Sequence, residues 1–345
     1  MHLIALVSSP NHVCCRYRIA AFEQHFQSAG HTLECRALPR NLFARLPLYR
    51  SLRHADAVIL QRRLLPTAEI ALLRRSARRL IFDYDDAVWF RDSYSPKGFF
   101  SRRRSRRFRQ LAQVADLLIA GNAVLAAEAR RHALPGRVSI IPTCVEPENY
   151  PQANHDDRSR SAVQLVWVGS SSTLRGLERF RATLEAVGQA VPGIRLKLVC
   201  DRFLQFHNLP VDPVPWSGLT EAGEIASADI GIGWVPDDPW SRGKCGLKVL
   251  QYQAAGLPVV ANAVGVQADF VRDGVTGFRA ETTEQWIQAI RRLAEDAALR
   301  KTLGEAGRKQ VQAQYSVAAG GKLWLELLET LAVPARSRQA TGEAA

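Results

Sequence analysis

Short apolar runs alternate with longer helical patterns along almost the whole chain, and that alternation leaves few folds open. His2–Ser8, His31–Leu38, Ala57–Gln61, Leu80–Tyr84, Asp116–Ala120 and Arg137–Ile141 read as strands. Ile19–Ala29, Pro66–Arg78, Arg102–Val114 and Ala123–His132 read as the helices between them. Strands separated by helices imply βαβ units, hence parallel sheets covered on both faces. A polar stretch from Pro151 to Ser161 interrupts the pattern and reads as a linker. The alternation resumes at Gln164–Val168, Arg195–Val199, Ile230–Trp234 and Pro258–Ala261. The expected fold class is therefore α/β, with doubly wound domains over residues 1–150 and 162–332, a linker at 151–161 and a disordered tail at 333–345. Two such domains leave a cleft at the C-terminal ends of their strands, where open α/β sheets bind ligands.

Composition narrows the class. The chain has 345 residues, 47% hydrophobic and 23% charged, which suits a globular protein with sizeable cores. It contains no apolar run long enough for a spanning helix. Met1–Val7 is apolar but lacks a basic leader and a small-residue cleavage site, so it reads as a first buried strand. Cys14, Cys15, Cys35, Cys144, Cys200 and Cys245 form no CxxC pair and no metal spacing with histidine, which fits reduced thiols in a cytoplasmic protein. The net charge of +13 is uneven. Residues 1–160 hold 26 Arg and Lys against 14 Asp and Glu, or +12; residues 161–345 hold 20 against 19, or +1. Such a basic first half expects an anionic partner, or else a solvated basic surface serving solubility.

The ordinary dinucleotide reading fails at the first strand. The residues after it, SSPNHVCCRYRIAAF, contain no GxGxxG and no acid placed for a ribose, which argues against a nicotinamide dehydrogenase. The most specific stretch is GKCGLKVLQYQAAGLPVVANAVG, from Gly243 to Gly265. Leu247–Ala255 is a helical pattern ended by Gly256, with Pro258 next and a buried strand beginning at Val259. Gly246 precedes the helix, so nearby amides can meet an anion. Lys248 sits in the first turn, where the helix dipole disfavours a cation, and this suggests a phosphate opposite it or an ordinary surface lysine.

These residues resemble the GT-B glycosyltransferases of the group 1 class, family four. The family's G-x-P-V-V-A strand is matched by Gly256-Leu257-Pro258-Val259-Val260-Ala261, and its G-x-x-G-F segment by Gly274-Val275-Thr276-Gly277-Phe278. Its later helices are matched at Ala289-Ile290, Leu293, Leu303-Gly304 and Gly307-Arg308. The resemblance covers roughly residues 160–332 well and residues 1–150 loosely. It implies two Rossmann-like domains facing a central cleft and transfer of a sugar from a nucleoside diphosphate sugar. It also implies retention of anomeric configuration, and no metal or other cofactor. The chain departs from the common pattern of two glutamates, whose positions fall at Gly243 and Gln251. It resembles instead a subset carrying Lys244, Lys248, Gln251 and Tyr252. Gln251 retains the capacity to hydrogen-bond ribose hydroxyls.

A second donor element is Val168-Gly169-Ser170-Ser171-Ser172-Thr173, a strand end running into a helix. Hydroxyls and amides there make either an anion site or an N-cap. In the family this loop faces the diphosphate, and Arg175 is the candidate cation beside it. Val214-Pro215-Trp216-Ser217 and Trp234-Val235-Pro236 are expected to line the nucleobase. In the first half, Arg16, Tyr17 and Arg18 are expected to open the first helix, with Arg16 and Arg18 set to neutralise a diphosphate or an anionic acceptor. Asp83, Asp85 and Asp86 end another strand. Such carboxylates bind acceptor hydroxyls, act as a general base, cap a helix or hold a metal; the acceptor or catalytic role is the one adopted.

The run SRRRSRRFR at Ser101–Arg109, with LLRRSARRL at Leu72–Leu80, suits an anionic surface. Nucleic-acid recognition expects base-stacking aromatics or a known module. Phe99, Phe100 and Phe108 flank the run and point instead to membrane insertion at the inner face of the cell membrane. The expected function is sugar transfer to a saccharide or lipid-linked acceptor, including an envelope saccharide. A catalytically inert nucleotide-sugar or polyanion-binding protein is the alternative, and phosphorolysis or epimerisation on the same fold is a weaker one.

Overall fold

The strands of this chain carry apolar residues on both faces, as parallel strands must when helices cover each side. In the computed structural model, which describes residues 1–156 and 162–332, these runs form two six-stranded sheets, each entirely parallel. The first comprises β1 (His2–Val7), β2 (Thr32–Ala37), β3 (Ala57–Gln61), β4 (Leu80–Tyr84), β5 (Leu117–Ala120) and β6 (Val138–Ile140). Its order is β2-β1-β3-β4-β5-β6. The helices of this half are α1 (Val13–Arg18), α2 (Glu23–Ser28), α3 (Leu42–Ser51), α4 (Thr67–Ser76), α5 (Arg102–Val114) and α6 (Ala123–Arg130).

The second sheet comprises β7 (Val163–Val168), β8 (Ile194–Cys200), β9 (Val211–Pro215), β10 (Ile230–Gly233), β11 (Val259–Ala261) and β12 (Gly277–Arg279). Its order is β12-β11-β10-β7-β8-β9. Its helices are α7 (Ser171–Arg179), α8 (Arg181–Ala190), α9 (Glu221–Ala226), α10 (Leu247–Ala254), α11 (Gln267–Phe270), α12 (Thr283–Glu295) and α13 (Ala297–Gln310). The last helix is α14 (Val317–Ala332). Chain direction reverses across the sheet between β1 and β3 in the first sheet and between β7 and β10 in the second. Those switch points are where a doubly wound sheet opens a crevice for ligands.

The chain divides into two compact units. One is Met1–Phe90 and Ser101–Thr143 with the chain from Val317; the other is Arg91–Phe100 with Cys144–Ser316. This differs from the division at 150 and 162 in three places. Helix α14 belongs to the first unit because Trp324 packs edge-on against Phe26 at 5.7 Å and Gly321 lets the helix close on His25; a Cβ there would lie 2.5 Å from the imidazole. Residues 91–100 belong to the second unit: Ser93 Oγ lies 3.0 Å from Ser241 Oγ, and Arg179 stacks on Tyr94 at 4.7 Å. Part of the expected linker also packs on the second unit. Ala153 N donates to Ala255 O at 2.8 Å, and Lys301 Nζ lies 2.8 Å from Asp156 Oδ2. The remainder, 157–161, and the expected tail, 333–345, lie outside the described residues.

Two elements of the first half also differ from expectation. The single helix read over Ile19–Ala29 is instead a 3-10 turn at Ala20–Phe22 followed by α2, and α1 stands before it as a separate helix, because Ile19 leaves helical geometry at φ −127°. Helix α3 was not anticipated at all. Each unit has its own core: Phe82, Tyr84, Trp89 and Phe108 cluster in the first, and Phe180, Trp286 and the aliphatic residues of β7, β8 and α12 in the second.

Candidate functional site

In the second unit the switch point brings together the end of β7, the long connection after β10 and the N-terminus of α10. Gly246, at φ 61°, turns the chain into α10 and offers no side chain to cap it. The first amides of the helix, those of Leu247 and Lys248, are therefore without a side-chain cap, at the positive end of the dipole. Lys248 is partly exposed, and its ammonium lies 3.9 Å from the centroid of the Trp167 ring. Among the described residues it makes no ion pair. Burial, and then the charge of Lys244, bring its pKa down to about 7. Trp167 reaches this position because residue 169 is glycine: a Cβ there would lie 2.3 Å from the indole.

Helix α10 is fixed against the sheet by its other face. Tyr252 accepts a hydrogen bond from Val168 N at 2.9 Å, and its ring occupies the space over Gly231. Leu257 N reaches back to Tyr252 O at 3.0 Å, closing the helix through Gly256 at φ 75°. Gln251 was expected to reach a ribose. It is instead 2% exposed and donates to Tyr150 Oη at 3.2 Å, a place in the core that withdraws it from ligand. Lys244 lies on the open side, 5.9 Å from the Trp240 ring centroid.

The loop after β7 is more self-contained than its hydroxyls suggested. Ser170 and Thr173 form a capping box, and Ser170 Oγ lies 2.8 Å from Ser172 Oγ. Ser171 N donates to Asp201 Oδ1 at 2.6 Å, which puts a carboxylate where an anion was expected. The helix N-terminus without a side-chain cap in this region is that of α10, and Arg175 is exposed on α7. Trp216 follows β9, 43% exposed, with its indole N–H held by Glu221 at 2.8 Å. Trp234 is partly buried against the core, with one face stacked on Phe180 at 5.3 Å.

The switch point of the first unit carries a second cluster. Arg18 and Asp83 are 1% and 0% exposed and pair at 2.5 Å, with Arg18 also donating to Ile141 O at 2.6 Å. Burial pushes the Asp83 carboxyl up against the pull of Arg18. This pair holds α1 to β4 and meets no solvent, which corrects the ligand role expected of both. Arg16 is half-exposed and lies over the Tyr17 ring, in the last turn of α1 and not at a helix opening. Arg62, directly after β3, adopts φ 57°, a left-handed conformation that a non-glycine residue takes only under constraint. Its guanidinium lies 3.0 Å from Asp85, and it bonds Asp86 and the Cys14 thiol. Burial opposes the charge of Asp85, yet Arg62 holds its carboxyl below the usual range. Sequence reasoning found the acids here and missed Arg62, whose only signal is its place after a buried strand.

Residues 239–310 match the family described as glycosyl transferases group 1. A D-inositol 3-phosphate glycosyltransferase from Corynebacterium aurimucosum is 40% identical over an alignment of 246 positions, covering 61% of this chain and 56% of that protein. The chain spans about half the length of the curated relatives it matches. Among solved structures, the sucrose-phosphate synthase of Thermosynechococcus elongatus is similar with a TM-score of 0.74 at 18% identity, covering 96% of this chain and 98% of that one. The Anabaena protein Alr3699/HepE, in complex with UDP and glucose, is similar with a TM-score of 0.69 at 15% identity, covering 96% and 100%. At these identities the likeness is one of fold, the GT-B arrangement of two parallel α/β units.

Proposed function

We propose that this GT-B chain, a member of the glycosyl transferases group 1 family by its residues 239–310, moves a sugar from a nucleoside diphosphate donor to a hydroxyl of an acceptor. The observation that carries the reading is Lys248. A partly buried lysine with no counter-ion among the described residues, beside uncapped helix amides, is a cation site that an anion completes. A diphosphate has the charge and the oxygens to do so. As the bond from the anomeric carbon to the phosphate oxygen breaks, charge builds on the departing diphosphate. Fixed donors already aimed at that oxygen lower the barrier without reorganising. Trp216 is assigned to the nucleobase, Gly169 and Gly246 to close backbone approach, and Lys244 and Arg175 to the donor's outer charge.

The first unit is assigned to the acceptor, a saccharide or a lipid-linked one, with Asp85 and Asp86 serving its hydroxyl. On this reading configuration is retained, and Lys248 with the α10 amides meets the diphosphate charge that a divalent ion meets elsewhere. The missing carboxylates at Gly243 and Gln251 favour one other reading, a nucleotide-sugar binder without turnover. Release of nucleoside diphosphate from a panel of nucleotide sugars, with and without saccharide and polyprenyl-phosphate acceptors and in EDTA, separates the two. The transferase reading expects release that Lys248→Met abolishes; binding without release from any donor contradicts it.

A further inference from the structure

In the second unit three strand ends lie side by side. β8 pairs with β7 and with β9, and the register sets Val168 beside Val199 and Cys200 beside Pro215. The chain stays in line just beyond the strands: Gly169 N donates to Val199 O at 3.0 Å, and Trp216 N donates to Cys200 O at 3.1 Å. Asp201, the first residue after β8, therefore stands between Gly169 and Trp216. It is exposed and forms no ion pair among the described residues. Hydrogen bonds from the Ser171 side chain and from its amide, the latter 2.6 Å from Oδ1, hold the Asp201 carboxyl below the usual range. At neutral pH it is a carboxylate, which accepts hydrogen bonds and donates none.

The acids that follow β9 and β10 are already engaged. Glu221 holds the Trp216 indole, Asp237 pairs with Arg242 at 2.6 Å, and Asp238 accepts from Ser241 N at 2.7 Å. Neighbouring strands lie about 5 Å apart, so three adjacent ends span about 10 Å. A nucleoside diphosphate laid across them, with its base on Trp216 and its phosphates towards Lys248, brings its ribose to the end of β8. The order of the chain points the same way. A first strand, a glycine at its end, a helix and a second strand ending in an acid is how βαβ nucleotide folds hold a ribose. Here those parts are β7, Gly169, α7 with α8, and β8 with Asp201.

We propose that Asp201 accepts hydrogen bonds from the ribose 2′- and 3′-hydroxyls of the donor, which makes the donor a ribonucleoside diphosphate sugar and not a deoxythymidine one. The inference rests on the transferase reading and names the class of its donor. A carboxylate has acceptor sites for two vicinal hydroxyls, and a 2′-deoxy sugar supplies one donor where two are needed. A site built to bond a hydroxyl rejects the analogue that lacks it, because its own polar group is left unpaired. Asp201 does this in place of Gln251, whose amide is turned to Tyr150.

The test is calorimetric titration of the full chain with UDP, GDP, ADP and CDP and with their 2′-deoxy counterparts. The parent is expected to bind its preferred ribonucleotide about tenfold or more tightly than the deoxy form. Asp201→Ala should lower ribonucleotide affinity to that of the deoxy form and leave the deoxy form near its parental affinity. Asp201→Asn keeps an acceptor for Ser171 N, so it carries the test where the alanine variant fails to fold; its preference should drop to about threefold or less. A residue that only holds Ser171 would weaken both forms by the same factor and keep the parental preference, and that result overturns the proposal. So does a parent that binds ribo- and deoxynucleotides equally, which leaves the transferase reading standing. Binding of no nucleotide at all overturns both.

Discussion

The ammonium of Lys248 lies 3.9 Å from the centre of the Trp167 ring, at a place the ring reaches because residue 169 has no side chain. An indole face attracts a cation without neutralising it. The charge therefore stays available at the N-terminus of α10, where the helix dipole also disfavours it. On the proposed reading, this arrangement costs the free protein stability, serves a bound diphosphate and ties β7, its loop and α10 into one device.

Replacing the lysine should stabilise the unliganded protein. The folded pKa of about 7 lies below the unfolded value near 10.5, so the unfolded chain binds more protons between those pH values. The penalty from Lys248 is complete below pH 7 and fades as pH rises towards 10.5. Lys248→Met should gain about 2–4 kcal/mol at pH 6, less at pH 9, by denaturant unfolding without nucleotide. An equal or lower stability at pH 6 would show that the ammonium is fully solvated.

Nucleotide binding should take up a proton. Above pH 7 the free lysine is mostly neutral, and a diphosphate restores its charge. Calorimetry at pH 8 in buffers of different ionisation enthalpy should report close to one proton bound per UDP, and at pH 6 almost none. Affinity should fall about tenfold per pH unit above 7. Affinity flat from pH 6 to 9 would remove Lys248 from the site.

Gly169→Ala tests the support beneath the lysine. The new methyl would lie 2.3 Å from Trp167 and 2.7 Å from Thr173 Oγ1, so the ring must shift. The variant should lose about 1–3 kcal/mol of stability and bind UDP more weakly than the parent. Unchanged UDP affinity would mean that the ring does not position the cation.

Arg18 and Asp83 should behave as a structural pair. Breaking it with Arg18→Met leaves a buried carboxylate alone and should cost about 3–5 kcal/mol. Arg18→Met with Asp83→Leu should recover much of that loss, and UDP binding should survive in whichever variant folds. A single variant of parental stability would contradict a buried role.

The pattern of the sequence carried the sheets and α10, because a strand buried on both faces and a helix closed by Gly256 are local facts. What it did not carry was the partner across space. The strand pattern placed Asp83, Asp85 and Asp86 at a strand end, but not that Arg18 and Arg62 already pair with them. Gln251 has the chemistry for a ribose and the position of a core residue. Helix α3 was invisible for a different reason: Arg45 is buried beside Tyr49 while Leu42, Phe43 and Leu46 are exposed, so its apolar period marks no core.

Titration of the parent and of Lys248→Met with UDP and with uridine measures the central claim most directly. The account predicts that the parent binds UDP far more tightly than uridine, and that the substitution removes about 1.5–3 kcal/mol from UDP binding while uridine binding stays as it was. Equal UDP affinity in the two proteins, or equal loss for UDP and uridine, would contradict it.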